Sequence, residues 1–166
     1  MTRFFEKIDA PLLKMGNVEK LVKAGYSKEQ VIRATEEALV NDLGKNGTKV
    51  YEGLRKKLTD IPLYKIMGAV STQRGIGIRR MKKLQDAMGR DGLYGCTSLE
   101  AVVDIDGFDT ITGEMALNVI DDFKEFFARV NYWVTIAEEA EIGTSMAGQK
   151  IGFSGIRDKE LAALIE

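Results

Sequence analysis

Histidine is absent from this 166-residue chain, and cysteine occurs once, as Cys96. Without histidine there is no imidazole base, no Ser-His-Asp triad and no histidine metal ligand. A single cysteine forms no internal disulfide and no multi-cysteine zinc site. With no basic residue next to it and no histidine to deprotonate it, Cys96 is a poor catalytic thiol. Proline is scarce, 2 against 17 glycines, as expected of helices joined by tight turns. No apolar run approaches the roughly 18 residues of a membrane-spanning helix. The opening Met1-Thr2-Arg3-Phe4-Phe5-Glu6 leads into charged residues rather than the apolar stretch of a secretory signal. The expectation is a cytoplasmic protein without metal or membrane attachment.

What is present is unevenly distributed. The net charge of −1 conceals a strong asymmetry. Residues 1–43 carry seven basic and seven acidic side chains, residues 44–90 twelve and three, and residues 91–166 five and fifteen. The basic middle block has the electrostatic footprint of a polyanion partner; by charge alone it is equally a solvated lysine face.

Apolar residues recur at helical spacing along most of the chain. Val18, Leu21 and Val22 form one stripe. Val31, Ala34, Ala38 and Leu39 form another after Ser27, an N-cap with Gln30 three places on. Val50, Leu54 and Leu58 form a third, stopped by Pro62; Ile66, Met67 and Val70 a fourth; Met81, Leu84 and Met88 a fifth, stopped by Gly89 and Gly92. Ser98 can cap a short helix through Val103. Met115, Val119, Ile120, Phe123 and Phe127 define a long helix, and a further helix is expected from Val130 to about Glu139. The seven methionines read as packing residues. Tyr132 and Trp133, near Glu138, Glu139 and Glu141, read as core or interface rather than base-stacking residues. Residues 143–147 read as a linker, and residues 148–166 as a short strand, a turn and a helix.

One type of turn recurs at intervals of about 32 residues. Its best copy is Arg74-Gly75-Ile76-Gly77-Ile78-Arg79-Arg80-Met81. Others are Asp42-Leu43-Gly44-Lys45-Asn46-Gly47-Thr48 and Asp106-Gly107-Phe108-Asp109-Thr110-Ile111-Thr112-Gly113. Glycine permits positive φ and close backbone approach. The apolar residue of each (Leu43, Ile76, Phe108) anchors the turn. The helix that follows starts with free N–H groups, and these with the helix dipole form an anion site. Nearby cations add charge-assisted hydrogen bonds. The predicted phosphate-binding residues are therefore Arg74, Gly75, Ile76, Gly77, Ile78, Arg79, Arg80, Lys82 and Lys83 in the first set. The second set is Gly44, Lys45, Asn46, Gly47, Thr48 and Lys49.

With these motifs in view, residues 39–130 resemble the tandem helix-hairpin-helix domain of bacterial-type NAD-dependent DNA ligases. The segment Lys57-Leu58-Thr59-Asp60-Ile61-Pro62-Leu63-Tyr64-Lys65-Ile66-Met67-Gly68-Ala69 is similar to that family's connector between its second and third hairpins. Arg74-Gly75-Ile76-Gly77 follows in place. Ile105-Asp106-Gly107-Phe108 through Asp122-Phe123-Lys124-Glu125-Phe126-Phe127 resembles the fourth hairpin and its helix. Leu21-Val22-Lys23-Ala24-Gly25 resembles the end of the first. Gly148-Gln149-Lys150 with Phe153-Ser154-Gly155 resembles the opening of a BRCT domain, here a truncated one.

The resemblance implies a mainly α fold, a RuvA-domain-2-like bundle over residues 1–142 with a β-α stub at 148–166. It also implies a role in gripping nicked duplex DNA by its phosphates, without regard to sequence, in replication and repair. The family's Lys-x-Asp-Gly adenylation motif is missing; Gly89-Arg90-Asp91-Gly92 has glycine where the lysine belongs. The family's four-cysteine zinc finger and oligonucleotide-binding barrel are missing too. The chain is thus not expected to ligate DNA alone, and it needs no cofactor, NAD serving the family's catalytic part. The resemblance implies a C-terminal fragment or the small subunit of a split ligase, as in a phage, with a catalytic ligase subunit or domain as partner; Met1 just before the first hairpin favours a natural split. The alternative is a protein-interaction module that docks on such a subunit.

Some departures carry expectations of their own. The first hairpin, near Ala10 to Asn17, lacks the glycines and is expected only to pack. The fourth has Asp109 in place of the second glycine, with Asp104 and Asp106 nearby, and is expected to be structural. The third has Met81 where a small residue is usual, which predicts wider helix spacing there.

Overall fold

In a computed structural model of the chain, residues 1–138 are described; the linker and the BRCT-like stub lie outside the described residues. The chain is mainly helical, and most of its helices begin at short polar caps or at the repeated turns. They are α1 (Thr2–Lys7), α2 (Met15–Lys23), α3 (Lys28–Arg33), α4 (Glu36–Leu43), α5 (Gly47–Leu58), α6 (Leu63–Val70), α7 (Ile78–Gly95), α8 (Leu99–Val103) and α9 (Thr110–Val130). Ser27 caps α3 as expected. Its hydroxyl accepts from the Gln30 amide at 3.2 Å, and its own amide donates to the Gln30 side chain at 2.7 Å. Ser98 caps α8, accepting from the Ala101 amide. Pro62 stands at the start of α6.

Four expectations are corrected. The stripe from Val31 to Leu39 spans two helices, because Thr35 caps α4, its hydroxyl accepting from the Ala38 amide at 3.3 Å. The Arg55 guanidinium closes the break by donating to the Ile32 and Ala34 carbonyls at 2.7 and 3.2 Å. Gly89 breaks α7 as expected, at φ 74° and ψ 171°, but Gly92 does not stop it, and a second helical segment runs on to Gly95. Val22 and Met15 are exposed rather than packed, at 53% and 65%. No helix covers Val130 to Glu138. A turn at Asn131–Trp133 leads instead into extended chain that pairs with the segment before α6. There the Thr135 amide donates to the Leu58 carbonyl at 2.9 Å, and the Ile61 amide to the Thr135 carbonyl at 3.0 Å. Val134 enters the core, while Tyr132 is 91% exposed. Aromatic and β-branched residues suit this extended path better than a helix.

The helices pack as successive pairs, α4 on α5, α6 on α7 and α8 on α9, with α6 also against α1 and α9. One apolar residue per turn is driven into the common core: Leu13, Leu43, Ile76 and Phe108 are all buried. The close approach expected at the turn glycines is made at Gly47 and Gly113 in the second and fourth turns, and in the third by Gly68 on the opposite helix. A Cβ on Gly68 of α6 would lie 2.4 Å from the Ile78 nitrogen, so α6 touches the backbone at the start of α7. Met81 is fully buried without widening that contact, because the small residue sits on the opposite helix. In the other pairs it sits on the second helix, Gly47 against Val40 and Gly113 against Leu99.

Gly68→Ala should therefore destabilise the protein by about 1–3 kcal/mol through overpacking. Gly16→Ala, in open space on α2, should leave stability unchanged or raise it by up to about 1 kcal/mol. Urea titrations of both variants check this, and equal midpoints would refute the contact.

Candidate nucleic-acid interface

The third turn, between α6 and α7, is braced from within. Ile76 is 1% exposed, and its carbonyl accepts from the buried Ser71 hydroxyl at 2.7 Å. Lys7 holds the preceding helix end, donating to the Gly68 and Ser71 carbonyls at 2.8 and 3.2 Å. Burial, and secondarily the charge of Arg3, lower the Lys7 pKa from its ordinary value. Gly75 takes φ 90°, a conformation glycine adopts without strain. Gly77 is the N-cap of α7 and offers no side chain to the amides behind it. The first turn of α7 thus keeps its unsatisfied donors and the positive end of its dipole.

The cations around this helix start are differently engaged. Arg74 and Arg79 are exposed. Arg80 is half-buried, lies 5.8 Å from the Phe108 ring centroid, and has one guanidinium nitrogen buried without a hydrogen-bond partner among the described residues. Lys82 pairs with Asp86 at 2.6 Å, and Lys83 with Asp106 at 2.8 Å, both at the surface. Ile78 is half-buried.

The second turn has a different backbone. Asp42, read from sequence as a turn residue, lies in the last turn of α4, where its carboxylate takes a hydrogen bond from Tyr26 and raises the tyrosine pKa. Gly44 turns the chain at φ 60°, and Gly44–Asn46 form a 3-10 turn leading into α5. Asn46 provides no side-chain cap, and Lys45, Asn46 and Lys49 are exposed; Gly47 is buried and Thr48 half-buried. The two predicted sets thus sit at the starts of α5 and α7, on separate helix pairs.

The remaining turns show what a side chain does at the position of Gly77. In the fourth turn, Gly107 takes φ 85° and Asp109 caps α9. The Asp109 carboxylate accepts from the Thr112 amide at 2.8 Å, and the Asp109 amide donates to the Thr112 hydroxyl at 2.9 Å. The first-turn amide is already satisfied by an internal anion. In the first turn Leu12 takes φ 60° where glycine stands in the third and fourth, and Lys14 occupies the extended N-cap of α2. This turn lacks the glycines, yet it keeps the backbone form. The one available signal was the spacing of Leu13 ahead of Leu43. Cys96 is buried, its thiol directed at the Ser98 carbonyl.

The arrangement defines a helical protein of repeated turns, one of which presents an uncapped helix start between exposed arginines. No cluster of metal-ligating side chains is found among the described residues, and no helix among them is long and apolar enough to cross a membrane. Over its full length the chain is similar to a DNA ligase of Acanthamoeba polyphaga mimivirus, 26% identical over 183 aligned residues. It spans 28% of that ligase's length. No protein-family model and no solved structure matches the chain.

The hydrogen bond from the Thr112 amide holds the Asp109 carboxyl below the usual carboxylate range. A carboxyl with a depressed folded pKa stabilises the fold above its unfolded pKa, and that stability is lost as pH falls through the folded value. The stability advantage of wild type over Asp109→Ala should be full at pH 6. It should shrink progressively below about pH 4, as read from urea midpoints. An advantage independent of pH would contradict the capping role.

Proposed function

We propose that this chain is the DNA-gripping, non-catalytic part of an NAD-dependent type of DNA ligase, built of tandem helix-hairpin-helix units. The observation that carries the reading is the uncapped start of α7 at Gly77, flanked by exposed Arg74 and Arg79. Similarity to a ligase along the whole chain supports it. A backbone phosphate of duplex DNA would accept hydrogen bonds from the first-turn amides of α7, assisted by the two guanidinium groups. Such contacts position a duplex without reading bases. The start of α5, with Lys45, Asn46 and Lys49, is a second grip of the same kind. Exposed ion pairs are worth little, so Lys82 and Lys83 can exchange Asp86 and Asp106 for phosphate. The lack of a Lys-x-Asp-Gly motif assigns adenylation from NAD to a catalytic ligase subunit or domain, with nicked duplex as the shared substrate.

A second reading, a module that docks on a catalytic subunit, is favoured by the exposed carboxylates of α9, Glu114, Asp121, Asp122 and Glu125. Under it, complex formation with the catalytic subunit survives Arg79→Glu, and neither protein's DNA affinity depends on this chain.

Under the first reading, a fluorescent nicked duplex should bind with an affinity that falls steeply with salt. Arg79→Ala should weaken binding several-fold at low salt, equally across sequences, and reduce the logarithmic salt slope by about 1. The chain alone should not seal the nick. Lack of salt-sensitive binding at low ionic strength would overturn this reading.

A further inference from the structure

Where α1 packs on α6, a cleft of about 480 Å³ opens beside the third turn. Arg3, Lys7, Lys28 and Arg74 line it, over a floor that includes Phe4 and Val70. No carboxylate lines it. Four cations around one concavity repel one another and focus a positive potential into it. Glu29 offsets part of that potential through Lys28; Arg3, Lys7 and Arg74 carry the rest. Lys7 gives two hydrogen bonds to helix-end carbonyls, and an ammonium has a third proton to give. Lys28 stands 5.1 Å from the Phe126 ring centroid and forms a loose ion pair with Glu29 at 3.8 Å, which offsets part of its charge. Arg3 and Arg74 are exposed. The depressed pKa of Lys7, due to burial and then to the Arg3 charge, accords with a site that lacks its counterion.

We propose that this cleft is an anion subsite that holds a phosphate group of the nucleic-acid strand leaving the third turn, with Arg74 shared between cleft and turn. The subsite deepens the DNA-backbone reading and rests on it. The volume falls within the range of small-ligand pockets and has room for a phosphate with its sugar, not for a duplex. The guanidinium groups offer the planar donor pairs that suit phosphate oxygens. The apolar floor lowers the local dielectric and strengthens those bonds.

Two measurements on the full chain test this. In the first, nicked-duplex binding is followed against salt for wild type, Arg3→Gln, Arg3→Glu and Arg33→Glu, with circular dichroism confirming folding. Arg3 is exposed on the short α1 and Arg33 lies outside the cleft. Arg3→Glu should weaken binding at least about fivefold at low salt and lower the salt slope by about 1. Arg3→Gln should have a smaller effect, and Arg33→Glu none. In the second, inorganic pyrophosphate is titrated while amide resonances are recorded. Saturable shifts at Arg3, Thr72 and Arg74, lost in Arg3→Glu, are expected. If the duplex binds and Arg79→Ala weakens it while Arg3→Glu changes neither affinity nor slope, the cleft proposal is overturned and the third-turn reading stands. If no duplex binds but pyrophosphate shifts persist and depend on Arg3, the anion subsite stands and the DNA reading falls. Absence of both effects overturns both.

Discussion

Burial of one apolar side chain in each turn is the constraint on which the architecture depends. Leu13, Leu43, Ile76 and Phe108 are all drawn into the core, each such burial being worth about 1.5–3 kcal/mol. With that side chain pinned inward, the two neighbouring backbone positions must face solvent. The next helix then begins within a few residues of the turn. In the third turn the Ser71 hydroxyl bond to the Ile76 carbonyl adds direction to what hydrophobic burial alone would leave loose.

On this shared plan, the residue after the pinned one sets the chemistry. The third turn has glycine there and gives α7 no side-chain cap. The fourth has Asp109, whose carboxylate occupies the Thr112 amide. Both are good solutions for a helix start, since an orphan N–H is satisfied by an internal anion or by an external one. Only the first leaves room for a ligand. The same distinction separates the cations. Lys82 and Lys83 are neutralised by surface carboxylates, while Arg74 and Arg79 remain exposed. Net charge along a segment therefore overstates the positive surface it offers.

The chain is similar along its length to a part of a DNA ligase. For the proposed phosphate grip, rigid helix ends would matter more than reactive side chains. Rigidity comes from the helix pairs, where Gly47, Gly68 and Gly113 bring backbone close to its neighbour. It comes as well from the segment after α9, whose Thr135–Ala137 backbone bonds to Leu58 and Ile61 and ties it to the connection between α5 and α6. The cleft between α1 and α6 extends the basic surface of the third turn with residues far from it in sequence, Arg3 and Lys28 among them.

Local chemistry was readable from the letters alone. The period of apolar residues, the Ser27 and Ser98 caps, the breaker at Pro62 and the glycine turn at 75–77 depend on residues within one helical turn of each other. Leu12 at φ 60° was not readable, because a leucine there is locally unfavourable and is held by Leu13's burial. Nor was the split between α3 and α4, whose exposed carbonyls depend on Arg55 more than twenty residues on. The path of residues 131–138 follows from partners at Leu58 and Ile61, the site of close packing at Gly68 from the backbone of Ile78, and the state of Lys83 from Asp106 in the next turn. Propensity and periodicity are properties of neighbours along the chain. Which surface stays positive, and which backbone comes close to which, are properties of neighbours in space, and these exist once the core has closed.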